Sequence, residues 1–208
     1  MGMQNVRTLR LAHILKHLDL EAGGGEVGDT ALHTLGLKRA KLKDPDFTLT
    51  REQEAMFLDL GCEALRDNCF ATRAGLNFHQ AHTLNAYIAK YSQTLREAIE
   101  NSARYFSILD SSFALDFRIS SNAASFGLTC LDPALARHHR FIEFVGFTAL
   151  ARMRSVSQIT FFPLEMRFEH QAKNSVAEIS KLAGFPVKFG AERCEMLLSR
   201  ASLEMPIP

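Results

Sequence analysis

Basic side chains recur in the segment VRTLRLAHILKHL, residues 6–18, near the start of the chain. Arg10, His13 and His17 are spaced three and four residues apart, which places them on one face of a helix. Arg7 flanks that face. Because guanidinium groups bind phosphate through paired hydrogen bonds, the segment predicts either a solvated helix surface or a clamp for an anionic effector.

A second polar cluster lies in the turn of a predicted β-hairpin. The stretch NAASFG resembles the D/N-x-S-x-x-G motif of PilZ domains, which bind cyclic di-GMP together with an R-x-x-x-R motif. Ala124 stands in place of the serine of that motif, and a polar hairpin turn without a ligand is the alternative interpretation. Together with the basic helix, the resemblance implies an effector site formed by Arg7, Arg10, His13, His17, Asn122, Ser125 and Gly127.

Other reactive side chains lack the spacing that metal binding or catalysis requires. The histidine pairs are His79 with His82 and His138 with His139, and a zinc site needs further Cys, His or carboxylate ligands beside such a pair. The sequence contains no G-x-S-x-G motif, and none of its four cysteines has an adjacent His that could activate it. We therefore predict no metal, no cofactor and no catalytic residue, and we do not expect an enzyme.

The composition indicates a globular protein without a nucleic-acid-binding surface of its own. The 208 residues are 47% hydrophobic and 23% charged, which suits one large domain or two small ones. A formal net charge of +1 lacks the basic excess that binding to phosphates needs. No apolar run is long enough for a signal peptide or a membrane span, so we expect a cytoplasmic protein with no membrane partner.

Helical patterns dominate the first half of the chain. An amphipathic basic helix is followed by the Gly-rich stretch EAGGGEVGD, residues 21–29, which is typical of a flexible linker. Thr50 with Gln53, and Thr94 with Glu97, have the spacing of capping boxes. Each pair predicts the start of a helix.

The second half mixes strand and helix patterns. Alternating apolar residues over 113–119 and 126–130 predict a β-hairpin, and residues 164–168 predict a further strand. Between them, residues 132–155 predict one long helix. Because helices and strands do not alternate regularly, we predict an α+β fold in which antiparallel hairpins and a sheet pack with several helices.

The order of these elements resembles the arabinose-binding-type sensor domain that precedes the DNA-binding domain in many AraC-family transcription regulators. The matching stretches run from about Leu32 to Pro208 and are LGLKRAKLKDPDFTLT, AKYSQTLREAIENSARYFSIL, the hairpin and long helix, FPLEMRFEHQ, and LAGFPVKFGAERCEMLLSRASLEMPIP. In the family a short helix ends in a Phe-Gly-type turn before a Pro-Val-x-Phe strand. SVAEISKLAGF is therefore predicted to pack on the sensor's sheet, although alone it resembles the opening of a helix-turn-helix.

The resemblance implies one effector-binding and dimerisation domain over residues 31–208, preceded by the basic helix and linker over residues 1–30. It implies a homodimer, for which the long helix is the expected surface, and contact with DNA only through a C-terminal helix-turn-helix domain absent from this chain. The effector is a small molecule, either a phosphate-bearing nucleotide such as cyclic di-GMP or a neutral sugar or amino acid. A small-molecule-modifying enzyme is the alternative from another functional class.

Overall fold

One mixed sheet organises the computed structural model, which describes residues 6–44, 46–78, 91–158, 160–172 and 176–207. Its strands are β1 (Phe113–Ile119), β2 (Ala124–Cys130), β3 (Glu165–Arg167), β4 (Val187–Lys188) and β5 (Glu195–Leu198). Their order is β1-β2-β5-β3-β4, and all neighbouring pairs are antiparallel except β3 with β4. The predicted hairpin and the predicted third strand are both confirmed.

Helices precede, interrupt and follow the strands. They are α1 (Val6–Glu21), α2 (Glu26–Thr34), α3 (Arg51–Leu65), α4 (Phe70–Leu76), α5 (Leu95–Leu109), α6 (Pro133–Ala136), α7 (His139–Ser157), α8 (Val176–Ala183) and α9 (Arg200–Leu203), with a 3₁₀ helix at Arg39–Lys43. A mainly antiparallel sheet with helices that do not alternate with its strands is an α+β fold, as predicted.

Polar side chains cap α3 and α5 at the predicted positions. The Thr50 hydroxyl accepts a hydrogen bond from the backbone N–H of Gln53, whose side chain accepts one from the N–H of Thr50. Thr94 caps α5 by accepting from the N–H of Glu97. The Glu97 carboxylate bonds the N–H of Gln93 instead of that of Thr94, so only the first pair forms the complete capping box.

The Gly-rich stretch at residues 21–29 is not a linker throughout, because α2 begins within it. The predicted boundary at residue 30 consequently falls inside a helix. Arg39 fixes this corner through ion pairs with Asp19, at 2.6 Å, and with Asp29, at 2.8 Å. The linker was predicted from its glycines alone. Asp29, within the same stretch, pairs with Arg39 and so fixes it against another part of the chain.

The long helix predicted over residues 132–155 is divided into α6 and α7, so a single helix is wrong there. The Asp132 carboxylate accepts a hydrogen bond in the first turn of α6. At the junction, His138 has φ −88° and ψ 71°, outside the helical region. Its Nδ1 lies 2.6 Å from Oδ2 of Asp59 on α3, and this tertiary contact is invisible in the local apolar pattern.

α7 is the central helix of the core, and its largest buried side chains are Phe141, Phe144, Phe147 and Leu150. Within residues 139–155 only Ser155 is exposed, so α7 does not offer the dimer surface that the sequence predicted. α4 crosses it at Gly75, where a Cβ atom would lie 2.8 Å from the carbonyl oxygen of Phe144. Glycine is required at this crossing, because any side chain would force the two backbones apart.

The segment that resembles the opening of a helix-turn-helix forms α8, and a strand follows it. Gly184 ends the helix with φ +80°, a left-handed conformation that favours glycine. The Ser180 hydroxyl then accepts a hydrogen bond from the N–H of Val187 in β4, which ties the helix to the sheet. The prediction that this segment is a helix that packs on the sensor's sheet is confirmed.

The last described residues pair with the start of α5. The N–H of Leu95 donates to the carbonyl of Met205, and the N–H of Ile207 donates to the carbonyl of Gln93, each at 3.0 Å. An antiparallel bridge joins the residues between them. The end of the described chain is thereby fastened to one end of α5.

Candidate ligand-binding site

A cavity lies between the sheet and α7, with a volume of about 60 Å³. Residues from α1, α5, α7 and four strands line it, so segments distant in sequence meet there. The apolar lining residues are Phe106, Leu115, Phe126, Leu128, Val145, Ala149, Met166, Phe168, Cys194 and Met196. A mostly apolar wall with a few polar groups is typical of small-molecule sites.

Two charged lining residues, Arg167 and Glu195, neutralise each other. Nη1 of Arg167 lies 2.9 Å from Oε1 of Glu195, and its Nε lies 2.5 Å from Oε1 of Glu165. These hydrogen bonds raise the pKa of Arg167 above its ordinary value. The charge of Arg167 is therefore already compensated by these carboxylates, and no ligand is needed to compensate it.

Arg10 reaches the cavity from α1 and belongs to a buried charge cluster with Arg51, Glu54 and Asp110. Nε of Arg10 lies 2.9 Å from Oε1 of Glu54, and its Nη2 lies 3.5 Å from Oδ2 of Asp110. Arg51 pairs with the same two carboxylates at 2.6 Å each. The cluster, defined by these four residues, holds two cations against two anions.

Arg152 on α7 brings a third guanidinium to this region. Its Nε and Nη2 are shielded from solvent and make no hydrogen bond with any residue that the structure describes. The same holds for Oγ1 of Thr148, one helical turn earlier. Burial, and in addition the charge of Arg51, lower the pKa of Arg152 to about 10, so the group stays charged at neutral pH. Its Cζ lies 5.1 Å from the ring centroid of Phe78.

Residues 25–207 match the family described as the arabinose-binding domain of AraC transcription regulators, at their N-terminus. The chain belongs to this family. It is thus an effector-sensing regulatory domain, as the resemblance implied.

The fold of this AraC-family domain is also similar to a solved structure, the crystal structure of transcriptional regulator CdpR from Pseudomonas aeruginosa. The TM-score is 0.59 at 16% identity, and the match covers 88% of this chain but 57% of the CdpR chain. At that identity the likeness concerns the fold. Comparison with curated proteins returned no significant match.

The domain's first helix directs its basic residues to different neighbours. Arg10 is 5% exposed, so its assignment to a solvated face is wrong, and the buried carboxylates of Glu54 and Asp110 explain its inward position. Arg7 lies in α1, but its side chain is outside the described part of the structure. The lining of the cavity includes Arg10, and its place in the effector site stays a prediction.

His13 of α1 contacts α4 and also Phe78, two residues beyond the end of α4. Nε2 of His13 donates a hydrogen bond to the carbonyl of Ala74 at 2.8 Å. The ring of His13 lies 4.4 Å from that of His17 and contacts Phe78 edge-on at 4.8 Å. Phe78 also contacts Arg152, so His13 is linked to the cavity wall through one shared aromatic ring.

The predicted site residues of the hairpin differ in accessibility. Asn122 is exposed at the turn, whereas the Ser125 hydroxyl donates to the carboxylate of Glu195. Gly127 is buried in β2, where a Cβ atom would lie 1.9 Å from Nη2 of Arg193. Gly127 therefore admits the Arg193 side chain, and no described contact yet unites these residues with α1 in one site.

His138, His139 and His170 contact neighbouring side chains, and His33 is exposed on α2. His79 and His82 lie outside the described residues. His139 stacks on His170 at 4.4 Å, and Nε2 of His170 lies 2.9 Å from Oε1 of Glu143. No group of three metal-binding side chains gathers in the described ranges. Over the same ranges, no helix is both long and apolar enough to cross a membrane.

Sequence reasoning missed Thr148 and Arg152. Their signal was present, because they are four residues apart in a helix whose neighbouring positions are apolar. The charged end of an arginine in such a helix is usually expected to reach solvent. Its position beside the cavity could not be known without the sheet that encloses it.

Proposed function

We propose that this domain binds a small-molecule effector in the cavity between the sheet and α7, and that binding controls transcription by the full-length regulator. The observation that carries the proposal is the apolar cavity with Arg10, Thr148 and Arg152 at its wall. A ligand there contacts α1, near the start of the sequence, and β5, near its end.

Regulation requires the effector to bind one conformation of the domain, or one dimer arrangement, better than another. Contact with DNA is assigned to a C-terminal helix-turn-helix domain, as in the family. We further propose a homodimer, through a surface other than the buried α7. Sedimentation at increasing concentration, with and without effector, tests this proposal, and a monomer under both conditions contradicts it.

The effector class has three candidates: a cyclic dinucleotide such as cyclic di-GMP, a neutral sugar or amino acid, and a smaller amphipathic molecule. A phosphate at Arg10 has to compete with the carboxylates of Glu54 and Asp110, which already form ion pairs with that guanidinium. The apolar lining gives few partners to the hydroxyl groups of a sugar. Both observations favour the third class.

Filling the cavity tests the proposal. Ala149 lines the cavity, and we expect Ala149→Phe to weaken effector binding at least tenfold because the new ring occupies the ligand's space. Calorimetric titration of wild type and variant with cyclic di-GMP, L-arabinose, hexanoate and benzoate measures the effect. Ala12→Phe is the matched control, since Ala12 is exposed on α1.

Unchanged affinity of Ala149→Phe for every compound that wild type binds contradicts a site in this cavity. Chemical conversion of a bound compound by the protein supports the alternative, a small-molecule-modifying enzyme. Both results are visible in the same experiment if the titrated samples are analysed by mass spectrometry.

A further inference from the structure

Positive charge is in excess where Arg152 adjoins the buried charge cluster. The buried charge cluster is balanced by itself, and Arg152 lines the same cavity as Arg10 of that cluster. Among the described side chains, Arg10 and Arg51 pair with the two carboxylates of Glu54 and Asp110, and Arg152 adds a third guanidinium without a carboxylate of its own. Since an uncompensated cation is costly in a protein interior, one additional anion completes the electrostatics.

Arg152 has the hydrogen-bonding edge that such an anion needs. Nε and Nη2 lie on the same side of a guanidinium, and this edge pairs side-on with a carboxylate. Both atoms lack a hydrogen-bond partner among the described residues, while the ring of Phe78 lies over the guanidinium. The Thr148 hydroxyl, also without such a partner, supplies a donor one turn away.

The rest of the cavity wall favours a ligand whose uncharged part is apolar. Phe126, Met166 and Phe168 line it, and apolar surfaces bind groups that lose little hydration on transfer. The other lining cations already have counter-charges, since Arg167 pairs with Glu165 and Glu195. Arg10 likewise pairs with Glu54 and Asp110. The site therefore has one anion position and an apolar remainder.

We propose that Arg152 and Thr148 bind the carboxylate of a monoanionic effector, a short fatty acid or an arylcarboxylic acid, whose apolar part lies against Phe126, Met166 and Phe168. The inference rests on the proposed function, because it assigns a ligand class to the same cavity. Unlike the sugar and dinucleotide classes, this class of ligand carries a single negative charge.

Titration of the 208-residue protein with hexanoate and benzoate, and with the neutral hexanamide and benzamide, tests the charge requirement. We expect the carboxylates to bind at least tenfold more tightly than the amides, as charge-assisted hydrogen bonds predict. Arg152→Gln is expected to weaken hexanoate binding at least tenfold, Arg152→Lys less, and Thr148→Val severalfold. Arg118→Gln, at an exposed arginine of β1, is the matched control and leaves affinity unchanged.

A second measurement separates ligand binding from a structural role. Because Arg152 has no hydrogen-bonded partner in the described structure, Arg152→Gln is expected to leave the unliganded melting temperature at or above that of wild type. Hexanoate then raises the melting temperature of wild type but not of the variant. A variant that melts lower than wild type and still binds hexanoate normally overturns the proposal.

The outcomes also distinguish this inference from the proposed function. If L-arabinose or an amide binds, and Ala149→Phe but not Arg152→Gln prevents it, the cavity is the effector site and the carboxylate assignment is wrong. If none of these compounds binds wild type, both proposals fail. Equal binding of hexanoate and hexanamide refutes the carboxylate assignment alone.

Discussion

Glu54→Gln is expected to lower the free energy of unfolding by about 3–5 kcal/mol, the usual cost of removing one partner from a buried ion pair. Glu54 is fully buried and contacts both Arg10 and Arg51. The amide keeps the shape of the side chain but leaves two guanidinium groups with only Asp110 as a described counter-charge. Urea denaturation of wild type and variant measures the difference.

Glu52→Gln is the matched control on the same helix. Its carboxylate pairs with Arg137 at the surface and is 41% exposed. We expect a loss below about 1 kcal/mol, since exposed ion pairs contribute little. Equal losses in the two variants would show that burial of the cluster does not determine its energetic importance.

Phe144→Ala is expected to cost about 3–5 kcal/mol, because a buried phenylalanine leaves both lost burial and a void. Phe144 is 0% exposed, and its ring contacts Phe141 and Phe78 with centroid separations of 6.1 and 6.3 Å. The crossing at Gly75 fixes the backbone of α4 against α7, which limits collapse into the void. Urea denaturation again provides the measurement.

Phe162→Ala removes the same atoms from a residue that is 55% exposed. This variant loses a contact in which Cζ of Arg154 lies 5.1 Å from the ring centroid, and we expect a change below about 1 kcal/mol. A loss as large as that of Phe144→Ala would contradict the assignment of the core to the centre of α7.

Local signals predicted the elements whose determinants are close in sequence. Thr50 and Gln53 are three residues apart, so their capping box is readable in the chain itself. The hairpin likewise follows from alternation on both sides of one turn. Features set by distant partners were not predictable in this way: the break at His138 depends on Asp59, 79 residues earlier.

The candidate site shows the same division between local and distant determinants. The sequence indicated Arg10 through its spacing, but its burial depends on Glu54 and Asp110, which periodicity in α1 cannot reveal. Arg152 lines the cavity only because distant strands fold against α7. Family resemblance predicted the fold and the class of protein, whereas the ligand depends on which side chains meet across the cavity.

The attachment of the last described residues to α5 makes this helix a lever. Phe106, near one end, lines the cavity, and Leu95, at the other end, holds the carbonyl of Met205. Fifteen residues at 1.5 Å per residue give an arm of about 22 Å, so a tilt of about 5° displaces the far end by about 2 Å. A small rotation of α5 at the cavity would therefore produce its largest displacement at the last described residues.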